Sequence, residues 1–181
     1  SMNSKSSGFV SIVHDPWRPV PSEGGHLGQN PGLHNRINID KRLDVAVFQT
    51  HCLKENIHLS GIPTLHTAVT CDQESFDICV ALSLISEEEE IINQFTTGFL
   101  RIKKNIKDAE KDYTIKLHPT NISITKGSKL RLSLSASAWP AIGVNSGHNK
   151  IRSGNTSIDH KITTLNFNLK KSIMKINPFF K

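Results

Sequence analysis

The chain has 181 residues, 36% of them apolar, with three cysteines and a formal net charge of +6. That length makes one domain, able to bury an adequate core without disulfide staples, and no apolar run approaches the roughly 20 residues that cross a bilayer. The charge is split, −6 over residues 1–90 and +12 over 91–181, but stacking aromatics do not interleave with the basic residues, so neither a membrane nor nucleic acid is expected as a partner.

Ser1 before Met2 reads as an expression scar, residues 1–8 as that scar and a disordered N-terminus, and no signal peptide is visible. The body of the domain is expected over residues 9–170, with a C-terminal tail over 171–181. FVSIV (9–13) is β-branched and short, a first strand. A proline-rich lead-in, residues 14–43, follows. Its first part, HDPWRPVPSEGG, carries three prolines in six residues and closes on Gly24-Gly25. Pro16, Pro19 and Pro21 fix φ and bias Asp15, Arg18 and Val20 toward extended backbone. The glycines permit a turn with positive φ. Residues 26–43 are polar and rich in Gly and Asn, a long loop.

DVAVFQ (44–49) is a strand. IPTLHTAVTC (62–71) places Leu65, Thr67, Val69 and Cys71 on one face by period two. FDICVALSLI (76–85) is apolar on both faces, a central strand between layers. SEEEEIINQF, from Ser86, has the cap and the acidic first turn of a short helix. FTTGFLRIKK (95–104) is a strand with Gly98 at a bulge or close approach. Residues 105–111 make one short turn. DYTIKLHP (112–119) alternates. KLRLSLSAS (129–137) sends Leu130, Leu132, Leu134 and Ala136 inward and Arg131, Ser133, Ser135 and Ser137 outward. HKITTLNFNL (160–169) is the last strand. Eight or more strands joined by turns predict an all-β fold, an antiparallel β-sandwich of the jelly-roll variety with few helical turns.

Motifs of chemistry are largely missing. There is no G-x-S-x-G, no G-x-x-x-x-G-K-[ST] and no H-E-x-x-H. None of the nine histidines forms an H-x-H or H-x-x-x-H pair, so no metal and no cofactor is expected. Cys52, Cys71 and Cys79 form no C-x-x-C and read as buried, reduced thiols of a cytoplasmic protein. A thiol paired with His66 would need a positive setting to ionise, whereas Asp72 and Asp77 make that stretch acidic. Two N-x-[ST] triplets, at Asn121 and Asn155, lack a secretory signal.

Trp17 in the proline passage and Trp139 before Pro140 stand out among the loops. Each is expected to pack on its own sandwich or on a neighbouring domain. If exposed, they suit stacking on sugar rings, with the polar neighbours of AWPAIGVNSGHN at hand. Trp17, Arg18, Trp139, Asn145 and His148 are therefore the candidate binding or interface residues, and no catalytic residue is assigned.

An ordered set of blocks carries a resemblance. Asp15-Pro16, Pro19-Val20-Pro21 and Gly24-Gly25 open it. Asp44 to Phe48, Gly61-Ile62-Pro63, Phe76 to Leu82 and Gly98-Phe99-Leu100-Arg101 continue it. Tyr113 to Thr120, Lys126 to Leu132 and Ser135 to Pro140 complete it. In this the chain resembles the C-terminal domain of the Xaa-Pro dipeptidyl-peptidase and cocaine-esterase-like hydrolases, from about Phe9 to Leu169. It departs at Gly127-Ser128-Lys129, where the family usually has Gly-His-Arg, and at Glu87 to Glu90, where a Pro-x-Gly turn is usual. The resemblance implies a jelly roll like galactose-binding domains. It also implies an α/β-hydrolase domain of the same polypeptide as partner, with homo-oligomer contacts a further expectation. The family's serine, acid and histidine lie in that other domain, so no residue here takes their roles. The lead-in is expected to pack on the hydrolase domain through residues 14–40. The competing expectation is a stand-alone module that binds carbohydrate or another ligand.

Overall fold

The computed structural model describes residues 8–25, 32–86, 91–150, 154, 158–176 and 178–180. The Glu87–Glu90 run, His26 and the triplet at Asn155 lie outside the described residues.

Among the described residues, twelve strands and one helical turn follow in order: β1 Phe9–His14, β2 His34–Asn35, α1 Ile37–Asp40, β3 Ala46–Gln49, β4 Ile57–Gly61, β5 Thr64–Cys71, β6 Phe76–Ile85, β7 Ile92–Ile102, β8 Lys111–Lys116, β9 Thr120–Ile124, β10 Lys129–Ser135, β11 Thr163–Lys175 and β12 Pro178–Phe180. They build an antiparallel sandwich. One sheet has the order β1-β11-β5-β8 and the other β2-β7-β6-β10-β3, with a small third sheet, β12-β4-β9, beside them. Non-consecutive neighbours such as β11 between β1 and β5 are the crossovers of a jelly roll.

The main core lies between the two large sheets. Ile12, Leu65, Val69, Ile115, Leu165 and Phe167 of one sheet meet Ile78, Val80, Leu82, Leu132 and Leu134 of the other. Period-two alternation explains this: each strand sends every second side chain across the gap. Each fully buried Leu, Ile or Phe stabilises the fold by roughly 1.5–3 kcal/mol. A second cluster, Ile57, Leu59, Ile124 and Leu130, seats the small sheet.

Gly98 is a close approach, as its place in the strand pattern predicts. A Cβ there would stand 2.8 Å from the Lys116 carbonyl oxygen and 2.9 Å from the Leu117 Cα. The bulge itself lies nearby: the β6–β7 register jumps between Leu82↔Thr96 and Ser83↔Gln94, leaving Phe95 as the extra residue.

Several expectations need correction. The helix expected from Ser86 is contradicted at its C-terminal half, since Ile92–Ile102 is a strand paired with β6 from Ile85↔Ile92 onward. Hairpin pairing outweighs a weak local helix signal there. Residues 105–111 do hold the short turn expected there, with the Ala109 amide donating to the Ile106 carbonyl and Lys111 opening β8. The loop at 26–43 contains β2 and α1. β4 and β9 have no counterpart among the expected strands, because two apolar residues each are too sparse a pattern. β11 runs past residue 170 to Lys175, and β12 pairs with β4, so much of the supposed tail is sheet.

The outward serines of β10 and of the residues just past its end are covered. Ser133, Ser135 and Ser137 do face away from the core, yet all are buried. A third layer, the lead-in, covers them. Val20, Ile39 and Val45 form a small apolar cluster on that face. The Val20 amide donates to Ser137 Oγ at 2.8 Å, and Ser133 Oγ donates to Asp40 Oδ1 at 2.9 Å. Small hydroxyl side chains let a proline-rich backbone come close and still find a partner. The lead-in thus packs on its own sandwich rather than being free to lie wholly on another domain.

Candidate functional site

The two tryptophans meet in one groove, and the lead-in brings them there. Asp15 accepts a hydrogen bond from the Trp17 amide at 3.0 Å through Oδ1, and its carbonyl accepts from Arg18 N at 3.0 Å. This Asx-type turn swings Trp17 outward. Val20, 2% exposed, then plugs the segment into the sheet. The Trp139 amide donates to the Val20 carbonyl at 2.9 Å and the Ser22 amide to the Trp139 carbonyl at 2.7 Å, a short parallel bridge at Pro21↔Trp139. The Trp139–Pro140 peptide is cis.

The resulting open groove has a volume of about 1100 Å³, and its walls include Pro16, Trp17, Pro19, Trp139, Val144 and Ile158. Trp17 is 57% exposed and Trp139 53%. Neither is buried on its own sandwich, so the first half of that expectation is corrected. The Trp17 ring lies 5.9 Å from that of His160.

The remaining candidate residues play other parts. Arg18 is exposed, and its carbonyl accepts from Arg42 Nη2 at 2.9 Å. Asn145 is buried. Its amide donates to Asp77 Oδ1 at 2.8 Å, and its Oδ1 accepts from the Gly147 amide at 3.0 Å. His148 donates from Nε2 to the Asp159 carbonyl at 2.7 Å. Asn145 and His148 hold the loop that follows Trp139 and do not line the groove.

Beneath that loop sits a buried ion pair that the amino-acid pattern alone did not disclose. Arg101 grips Asp77 with two hydrogen bonds, Nε to Oδ1 at 2.9 Å and Nη2 to Oδ2 at 2.7 Å, and reaches the Gly143 carbonyl at 2.5 Å. The same side chains give Arg101 its raised pKa, first through the hydrogen bond to Asp77. A second buried network lies under the lead-in. Arg36 pairs with Asp40 at 3.3 Å and donates to Gln94 Oε1 at 2.5 Å. It borders a cavity of about 80 Å³ with Ser135, Gln94 and Thr97. Both networks are explained as fasteners between layers.

Nucleophilic chemistry finds little support. Burial pushes the Cys71 thiol up to about 12, and burial also pushes Cys79 up, which keeps both protonated and inert at neutral pH. His66 Nδ1 is with Thr114 Oγ1 at 3.0 Å. Cys52 is exposed, not buried as expected. Among the described residues no three His, Cys, Asp or Glu side chains cluster as metal ligands, and no helix is long and apolar enough to cross a membrane.

His14, the last residue of β1, is buried, and neither ring nitrogen has a hydrogen-bond partner. Desolvation lowers its pKa, partly offset by Asp77, Asp44 and Asp15. The native state therefore binds this proton less readily than the unfolded chain does. His14 contributes no penalty above about pH 6.5, the ordinary imidazole value, and stability is lost as pH falls below it toward the lowered native value. The melting temperature of the wild type should drop between pH 7.5 and 5.5, and the drop should be smaller in His14→Leu. Equal drops in the two proteins would remove His14 as the cause.

Solved structures similar to this fold include larger enzymes. An aminopeptidase from a marine sediment Thaumarchaeota archaeon superposes with a TM-score of 0.83 at 16% identity over 99% of this chain and 34% of its own. An α-amino acid ester hydrolase superposes with a TM-score of 0.83 at 17% identity over 97% of this chain and 33% of its own. A CocE/NonD family hydrolase from Staphylococcus aureus gives 0.62 at 13% identity, over 98% of this chain and 34% of its own. The chain thus spans about a third of the length of these proteins, and at such identities the likeness is one of fold. No curated protein sequence matches it. A family profile described as the X-Pro dipeptidyl-peptidase C-terminal non-catalytic domain matches residues 5–172, nearly the whole jelly roll, and the chain belongs to that family.

Proposed function

We propose that this chain is the C-terminal accessory domain of an Xaa-Pro dipeptidyl-peptidase or cocaine-esterase-like serine hydrolase. In this reading it braces an α/β-hydrolase domain and walls part of its substrate cleft, without catalysis of its own. The observation that carries the reading is the match to a non-catalytic C-terminal family over residues 5–172. Chemistry supports it: the buried thiols stay protonated, and Asp77 and Asp40 are engaged in ion pairs between layers. The partner domain would carry the acyl-enzyme steps, with serine attacking and an oxyanion hole taking the charge.

An antibody against this chain tests the proposal on extract of the source cells. The expected native polypeptide has about three times the 20.1 kDa of this chain, the ratio implied by the solved relatives. It should be labelled by a serine-directed fluorophosphonate, whereas the 181-residue chain alone should not. A native band near 20 kDa, or labelling of the isolated chain, would sink the proposal.

The exposure of two tryptophans in one groove also favours a second reading, a stand-alone module that binds carbohydrate. Fold alone does not separate the two.

A further inference from the structure

We infer that the space between the lead-in and the outer face of β6, β7 and β10 binds a short-chain carboxylate, with its head group on Arg36 and Thr97 and its tail toward Ala138 and Ile142. The site lies wholly within this chain and stands whichever reading of the whole protein holds.

Its floor is built of small side chains. Cys79 and Ala81 of β6 lie opposite Phe99 and Thr97 of β7 and opposite Ser135 and Ser133 of β10. The lead-in from Val20 to Gly24 roofs them, over a cavity of about 80 Å³. One water needs roughly 10–15 Å³ on that measure, so the cavity takes at least about five waters, or one carboxylate of as many heavy atoms.

One end is cationic. Arg36, 6% exposed, is fixed through Nε on Asp40 Oδ1 at 3.3 Å and Nη1 on Gln94 Oε1 at 2.5 Å, and its Nη2 has no partner among the described residues. Asp40 does not neutralise it alone, because the same carboxylate also takes Arg131 at 3.4 Å. Two guanidiniums therefore share one buried negative charge. Burial lowers the Arg36 pKa in spite of Asp40, as befits a charge short of a counter-ion. The other carboxylate at the cavity is that of Glu23, an exposed residue screened by water.

A second donor stands nearby. Ser133 donates to the Asp40 oxygen that Arg36 also uses, which sets the guanidinium beside the Ser133–Ala81–Thr97 row. The Thr97 hydroxyl lines the cavity and has no partner among the described residues. An uncommitted guanidinium N–H next to an uncommitted O–H suits a carboxylate. The far end is aliphatic, formed by Ala138, Ala141 and Ile142. Charge at one end and apolar surface at the other select a short acid over an inorganic anion.

Calorimetric titration of sodium propionate into the 181-residue chain tests the site, with sodium gluconate as a carboxylate too large for the cavity. Propionate should bind one to one. At about 100 times its dissociation constant it should raise the melting temperature by about 5–10 °C, and gluconate at equal ionic strength should not. Thr97→Val keeps the side-chain shape and should weaken propionate binding about tenfold, the loss of one hydrogen bond to a charged group, with little change in melting temperature when propionate is absent. Arg36→Gln should weaken it about 100-fold; should that variant fail to fold, Thr97→Val and the gluconate contrast still decide. Equal responses to propionate and gluconate would reveal a general salt effect and overturn the inference. Wild-type affinity in Thr97→Val would place propionate elsewhere, and no binding at all would make the cavity a water site only; either result overturns it too. Each readout is made on this chain alone, so none of these failures touches the accessory-domain reading.

Discussion

Asp77→Ala should destabilise the domain by about 3–5 kcal/mol, the range for removing one partner of a buried ion pair. Asp77 is 1% exposed, and its carboxylate takes two hydrogen bonds from Arg101 and one from Asn145. Truncation leaves the Arg101 guanidinium, itself largely covered, without its counter-charge, and frees the Asn145 amide. The same change loosens residues 143–147, which carry Val144 on the groove wall. Denaturant unfolding measures the loss. Arg42→Ala is the comparison: it breaks the Arg42–Asp44 pair, whose arginine is about one-third exposed, and should cost under about 1 kcal/mol. Near-equal losses would mean that the Asp77 pair is not energetically buried.

Phe167→Ala should cost a similar amount, about 3–5 kcal/mol, for a different reason. Phe167 is fully buried in β11, paired with Val10 of β1 and Val69 of β5. Its ring fills the gap between the sheets, and truncation leaves a cavity that flanking strands on both sides keep from collapsing. Phe9→Ala, one strand away, removes a ring that is mostly exposed and should stay within about 0.5 kcal/mol. A loss below about 1 kcal/mol for Phe167→Ala would show that the core closes over the vacancy.

The candidate site was half legible. Trp17 and Trp139 drew attention as aromatic residues in loops, and that is where the groove lies. Pro16 and Pro19 were visible only as restraints on backbone angle, yet they also form its walls. Asn145 and His148 looked available because they are polar and sit in a loop. The fold turns Asn145 inward to Asp77 and ties His148 to the Asp159 carbonyl. The match of Asp77 to Arg101 had no local signal: they are cross-strand partners in β6 and β7, 24 residues apart.

By itself the amino-acid order determined the sandwich, its central strands and their inward faces. Period-two alternation and β-branched runs are local, so FDICVALSLI and KLRLSLSAS announce themselves without neighbours. The ordered motifs from Asp15 to Pro140 also sufficed to identify the family. Only the tertiary structure decided that the lead-in forms a third layer, that the outward serines are covered, and that two tryptophans 122 residues apart share a groove. Those facts depend on contacts between segments far apart in the chain, and burial of an outer face is a property of what lies on it, which no strand's own pattern contains.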